Sequence, residues 1–275
     1  MRIELTFAFL VLAPPQVPTV PFEVVNGYTV VENVSINGRG PYRFVLDTGA
    51  QSTTIDTKTA RELALVPTYR VTLSTKGGTA TVPATHVATL SVGNASAADI
   101  EVLWYDFAGS MATNRPIAGK LGHEFLSHFE YILDYKTKRL FLSQSGSLDS
   151  TIQGRRISFQ VVDGRIVLPV RICEQMPERP AVLDSGAPVM VLPHEMASCQ
   201  KHAGNLAATL ETPFGARNAA VTTLRRVRIG DVQLDQIPVA IESDEQEGSD
   251  TLLPARFFKR IYVNYQNRSI VLVPR

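Results

Sequence analysis

Two short segments of the chain repeat one chemical pattern. Val45-Leu-Asp-Thr-Gly-Ala50 and Val182-Leu-Asp-Ser-Gly-Ala187 each place an aspartate after an apolar run, a hydroxyl beside it and a glycine two residues on. The runs 42–46 and 180–183 read as strands, so Asp47 and Asp184 each emerge at a strand end, where a loop can present them. Gly49 and Gly186 permit a tight turn and close approach of backbone to a ligand, and their N–H groups can orient the neighbouring carboxylate. Thr48 and Ser185 add one hydroxyl each, able to donate to the backbone of a facing loop and hold two loops in register. Brought face to face, the two carboxylates cannot both ionise easily. Like charges at contact distance push one pKa up, and the pair shares a proton. One member can then take a proton from water while the other hydrogen-bonds a carbonyl oxygen, which suits attack on a peptide bond. A single Asp-Thr-Gly would read as an aspartate capping a turn. Two copies at a fixed separation read as one site.

That separation is shared by much of the chain. The aspartates are 137 apart (184 − 47), and Phe22-Glu-Val-Val-Asn-Gly27 matches Phe159-Gln-Val-Val-Asp-Gly164 at the same offset (159 − 22). Further on the second copy is shorter: Leu121-Gly-His-Glu-Phe125 answers Leu253-Pro-Ala-Arg-Phe257 at 132 (253 − 121), and Leu133-Asp-Tyr135 answers Val263-Asn-Tyr265 at 130 (263 − 133). Matches recurring in order indicate internal duplication. Between the copies, the polar stretch 143–150 has no apolar period and reads as a linker. The expected organisation is a first lobe over 21–145, a linker over 146–155 and a second lobe over 156–275. Short alternating runs such as 28–36, 87–92, 100–104, 131–135 and 139–142 predict strands. Helix signals are few: Asp56 stands as N-cap before 57–63, and Pro193 opens a run to His202 that Gly204 can close. The fold class is mainly β, in two similar lobes.

At this point the residues resemble a known family. The two Asp-Thr/Ser-Gly-Ala segments, each followed by a glycine-bearing hairpin and a Leu-Gly or Leu-Pro motif, resemble the aspartic proteases of the retroviral, retropepsin-like type over about residues 22–275. The resemblance implies a pepsin-like arrangement, a bilobal acid-protease-like fold in which two retropepsin-sized β-barrel lobes are fused in one chain. It implies Asp47 and Asp184 as the catalytic pair in an inter-lobe cleft, with Thr48, Gly49, Ser185 and Gly186 as loop support. A polypeptide substrate would lie extended like an added strand. No metal or cofactor is implied, and the chain would act as a monomer, since each copy supplies half of the site. The family's flaps fall on 75–79 and 212–215, with Lys76, Gly77, Gly78, Phe214 and Gly215 as the tip residues that cover substrate.

The family's hydrophobic-hydrophobic-glycine segment is kept imperfectly. In Ala118-Gly-Lys-Leu-Gly122, Lys120 stands where an aliphatic residue is usual; in Thr251-Leu-Leu-Pro254, Pro254 stands in place of glycine. Proline fixes φ and removes an N–H, so this crossing must differ in the second lobe. The departures are expected to leave the aspartates themselves untouched. They favour the alternative reading, a catalytically inactive peptide-binding or assembly module that retains the fold.

Composition excludes several other classes. A chain of 275 residues suggests two domains, and 27 Lys+Arg against 26 Asp+Glu provide no basic field for nucleic acid. The apolar run 5–13 behind Arg2 resembles the core of a signal peptide and is too short to span a bilayer, so the chain reads as exported, periplasmic or secreted. The alternative is an amphipathic first strand over 3–11 in a cytoplasmic protein. Cys173 and Cys199 make at most one bridge and cannot build a four-thiolate zinc site. His123 and His128 are five apart, on different faces of a helix, which sets zinc aside.

Overall fold

Alternating apolar runs separated by Gly and Asn turns fold as strands, and short segments leave little room for helix. The structure is a computed structural model that describes residues 19–75, 78–106, 115–199, 206–212, 215–242 and 250–275. The first half comprises β1 (Thr19–Val25), β2 (Tyr28–Ile36), β3 (Arg39–Leu46), β4 (Thr53–Asp56), α1 (Thr57–Glu62), β5 (Tyr69–Thr75), β6 (Gly78–Val92), β7 (Ala95–Tyr105), β8 (Gly119–Leu121), α2 (His123–Leu126), β9 (Glu130–Asp134) and β10 (Arg139–Ser143). The second comprises β11 (Arg156–Ser158), β12 (Gln160–Val162), β13 (Arg165–Val170), β14 (Arg179–Asp184), β15 (Met190–Leu192), β16 (Leu206–Thr212), β17 (Gly215–Ile229), β18 (Val232–Glu242), β19 (Thr251–Pro254), β20 (Phe258–Asn264) and β21 (Ser269–Pro274). The protein is mainly β. Asp56 caps α1 by accepting from the N–H groups of Lys58 at 3.0 Å and Thr59 at 3.4 Å. The run after Pro193 is a 3-10 turn over His194–Cys199, and its expected continuation to His202 and Gly204 lies outside the described residues.

Six antiparallel strands in the order β11-β21-β20-β9-β10-β1, three from each half, join the halves through β9 and β20. Ile132 pairs with Tyr262. These residues also differ by the sequence offset of 130 (262 − 132), so a local two-fold axis passes between them. Details repeat on either side of it. The N–H of Phe22 donates to the Lys138 carbonyl and that of Phe159 to the Arg268 carbonyl, both at 3.0 Å. Phe22 packs edge-on against Tyr135 with ring centroids 5.2 Å apart, and Phe159 against Tyr265 at 5.8 Å. One apolar cluster runs through both halves, including Phe44, Leu46 and Phe125 from the first and Leu183, Leu192 and Phe258 from the second. Each such side chain contributes about 1.5–3 kcal/mol by leaving water.

The connecting segment 146–155 is anchored. Leu148 and Ile152 are buried against Ile132, Tyr262 and Val271. The Leu148 N–H donates to the Glu130 carboxylate at 2.7 Å, and the Tyr262 hydroxyl lies 2.9 Å from a Glu130 oxygen and 2.8 Å from an Asp149 oxygen, its one proton serving the two carboxylates. Two apolar residues are too few to show a period, which is why the segment reads as a plain linker in the sequence. Cys173, in the β13–β14 connection, is disulfide-bonded, and the sequence holds one other cysteine, Cys199. The apolar run 5–13 lies outside the described residues. No helix of the described residues is long and apolar enough to cross a membrane.

Candidate active site

Two parallel crossings hold the aspartate loops. β3 pairs with β8 in the register Phe44↔Gly119, Val45↔Lys120 and Leu46↔Leu121. β14 pairs with β19 from Ala181↔Thr251 to Asp184↔Pro254. In the first crossing the Asp47 N–H donates to the Leu121 carbonyl at 3.0 Å, and the His123 N–H to the Ala50 carbonyl at 2.9 Å. Only glycine fits at 122, because a Cβ there would lie 2.4 Å from the Ser52 carbonyl oxygen. The second crossing differs as its proline requires. Pro254 has no N–H to match the one that Gly122 gives to Thr53 Oγ1 at 3.2 Å, and the Arg256 guanidinium from the next turn donates to the Pro188 carbonyl.

The loops themselves are tied reciprocally. The Thr48 N–H donates to Ser185 Oγ at 3.0 Å and the Ser185 N–H to Thr48 Oγ1 at 2.9 Å. Each hydroxyl in turn donates to a carbonyl of the other half: Thr48 to Leu183 at 2.8 Å, Ser185 to Leu46 at 2.6 Å. Both residues are buried, so leaving any of these groups unpaired costs about 1–3 kcal/mol. A second reciprocal contact flanks the first. The turns Asn26-Gly27 (φ 51° and 90°) and Asp163-Gly164 (φ 47° and 71°) have the left-handed backbone of tight hairpins. Gly27 abuts Pro188, and Gly164 abuts Gln51. Each hairpin of one half therefore props the loop of the other.

This frame brings Asp47 and Asp184 together. A Cβ on Gly49 would lie 2.5 Å from Asp184 Cγ, and one on Gly186 would lie 2.7 Å from Asp47 Cγ, so each glycine backbone rests against the opposite carboxylate. The Gly49 N–H donates to Asp47 Oδ1 at 3.1 Å and the Gly186 N–H to Asp184 Oδ1 at 2.7 Å. The aspartates are only 7% and 8% exposed, so little water screens one charge from the other. Burial, and then the charge of Asp47, push the Asp184 carboxyl up to about 8, against the opposing pull of the Gly186 N–H and of Lys120.

Lys120 is the site residue that sequence reasoning missed. Its Nζ donates to Asp47 Oδ2 at 3.3 Å in an ion pair whose lysine side chain is 18% exposed. Burial alone would depress the lysine, but the charges of Asp47 and Asp184 more than offset it and raise its pKa, so it stays an ammonium. The expectation that this departure leaves the aspartates untouched is therefore corrected. In parallel register Lys120 lies beside Val45, and Asp47, two residues on, shares the face of Val45. Knowing that register was the missing signal.

The two hairpins expected as flaps are present, with last pairs Thr75↔Gly78 and Thr212↔Gly215. Gly78 and Gly215 thus begin the return strands, while Lys76, Gly77 and Phe214 lie outside the described residues. His123 opens α2 and packs on the Tyr265 ring, with centroids 5.1 Å apart. Among the described residues no group of three or more His, Cys, Asp or Glu side chains could hold a metal.

A mainly β chain that seats two Asp-Thr/Ser-Gly loops on parallel crossings has the makings of an acid protease. Residues 32–125, from β2 through the Asp47 loop to α2, match the profile of a family described as aspartyl protease. That part of the chain is similar to the aspartyl protease family. No curated protein matches the sequence.

Proposed function

We propose that the protein is an aspartic endopeptidase whose Asp47 and Asp184 share one proton in a cleft between two lobes, 21–145 and 156–275, derived by internal duplication. The observation that carries this reading is the mutual packing of each loop glycine on the opposite carboxylate. In the reaction, one carboxylate removes a proton from water as its oxygen attacks the peptide carbonyl carbon, and the other gives its proton to the carbonyl oxygen. On collapse, the newly protonated carboxyl gives its proton to the leaving nitrogen as the C–N bond breaks, and the other, now ionised, takes one hydroxyl proton of the tetrahedral intermediate as C=O re-forms, which restores the starting pair. Acid and base are both supplied by carboxylates, so the step asks for no cofactor. The peptide lies extended beneath the flap hairpins, whose tips include Lys76, Gly77, Gly78, Phe214 and Gly215, and hydrogen-bonds like an added strand. We take one chain to be sufficient. We also take it to be exported, on the strength of the apolar run 5–13 and of the disulfide at Cys173, a bond that persists in oxidising compartments.

A second reading, a non-hydrolytic peptide-binding module, is favoured by the Lys120 ion pair, which engages one oxygen of Asp47. Incubating the purified chain with a diverse peptide mixture across pH, and mapping the cleaved bonds, separates the two. Cleavage that disappears in Asp47→Asn and in Asp184→Asn is expected. Peptides that bind but are never cut at any pH would replace the first reading with the second.

A further inference from the structure

Lys120 occupies the middle of β8, in register with Val45 of β3 on one side and Thr54 of β4 on the other. Cross-strand partners share a face of the sheet, so these side chains line the face to which Asp47 belongs. The elements packed around the ammonium bring Asp47 and Asp184 from the two loops, Tyr28 from β2 and Tyr105 from β7. Thr54 adds a buried hydroxyl that has no partner among the described residues. Among the described residues, Asp47 and Asp184 are the carboxylates whose charges act on Lys120, and Asp106 acts on the neighbouring Tyr105. Asp47 and Asp184 are not treated alike. Asp47 receives the Gly49 N–H on one oxygen and the lysine on the other, at 3.1 and 3.3 Å. At the matching place in the second crossing stands Leu252, in register with Val182, which brings no charge.

We infer that Lys120 is a positioning residue that makes the pair asymmetric: it holds the negative charge on Asp47 and leaves the shared proton on Asp184. For catalysis this rests on the peptidase reading and assigns its roles. Asp47 removes the water proton and Asp184 gives its proton to the carbonyl oxygen. The charge assignment itself needs no activity. An ammonium favours every ionised form of the pair, so its removal must move both proton-binding steps to higher pH.

The test is a carbon-13 NMR titration of carboxyl-labelled aspartate in the wild type, in Lys120→Met and in Lys120→Arg, with Asp47→Asn and Asp184→Asn as assignment standards. In the wild type, Asp47 should be ionised over a range in which Asp184 still holds its proton. Methionine keeps the length of the side chain and removes its charge, and should raise both midpoints by about 1–3 pH units, with arginine restoring them. Two wild-type carboxyls that titrate together overturn the inference, and this arm stands even if Lys120→Met does not fold. Midpoints unmoved in a folded Lys120→Met overturn it too. In peptide hydrolysis, both limbs of the pH profile of kcat/KM should move with the NMR midpoints. An equal loss at every pH would mark a merely structural lysine. If the wild type cleaves nothing, the peptidase reading fails while the titration still decides the role of Lys120.

Discussion

The two crossings beneath the aspartate loops, Lys120-Leu121-Gly122 and Leu252-Leu253-Pro254, do the same mechanical work with different chemistry. Both run parallel to the strand that delivers an aspartate, and both leave the Thr48 and Ser185 exchange intact, its four hydrogen bonds mirrored from one half to the other. Yet one crossing contributes a partly buried cation and a glycine pressed against the Ser52 carbonyl, while the other contributes an aliphatic side chain and a proline whose loop is held by Arg256. Geometry at this site depends on backbone and on small hydroxyl residues, so it tolerates change in the flanking side chains. Electrostatics depends on those side chains, and there the halves differ.

The comparison can be broken most severely at the carboxylates. If both are needed for one proton transfer in each direction, Asp47→Asn and Asp184→Asn should each lower kcat/KM by about 10³-fold or more, with circular dichroism unchanged. A variant that kept near wild-type turnover would end the shared-proton reading. Next come the glycines. Gly49→Ala and Gly186→Ala drive a Cβ to within 2.5 and 2.7 Å of the opposite carboxylate carbon. Displacing a reacting group by about 1 Å costs about 10²-fold, so each variant should lose activity on that order, measured as kcat at saturating peptide.

Smaller effects sharpen the mechanical symmetry. Thr48→Ala and Ser185→Ala each remove a hydroxyl that donates to one carbonyl and accepts one N–H across the interface. Each should lower the unfolding free energy in urea by about 1–3 kcal/mol, and by similar amounts. Markedly unequal losses would show that the loops do not bear the interface equally. The smallest effect, taken per pH unit, is electrostatic. Asp184 is held up to about 8 in the fold, against 3.8 as its ordinary value. Between those limits the native protein keeps a proton that the unfolded chain has lost, so this group's contribution is complete below pH 4 and declines as pH rises through 8. The slope is at most about 1.4 kcal/mol per pH unit. Thermal unfolding across that window should show the decline, and Asp184→Asn should flatten it.

How much of this could be read in advance depends on how local each feature is. Asp47-Thr48-Gly49 and Asp184-Ser185-Gly186 were legible because strand, turn and hydroxyl are adjacent in sequence and occur twice. The capped start of α1 was legible for the same reason, Asp56 lying within two and three residues of the N–H groups it accepts. The role of Lys120 was not, since its partner is 73 residues away and meets it through a parallel register that the sequence does not announce. Leu148 and Ile152 hid their burial similarly, because Tyr262 and Val271, which help cover them, belong to the far half. The two hairpins that close at Thr75↔Gly78 and Thr212↔Gly215 were legible through the family resemblance, and their turn residues lie outside the described residues.

The seam between the halves also carries a lock-and-key rule for partner choice. In β9 against β20, Asp134 faces Arg260, and the guanidinium reaches its carboxylate at 2.9 Å through Nε. Suppose two first halves met along β9 about the same axis, with Ile132 facing its own copy. Position i would then face 264 − i, placing Asp134 opposite Glu130 (264 − 134) twice over, acid against acid. Like charges directly opposed destabilise a strand pair, whereas the native seam sets opposite charges there. A strand edge that could otherwise accept any similar edge is thereby matched in charge to its own other half.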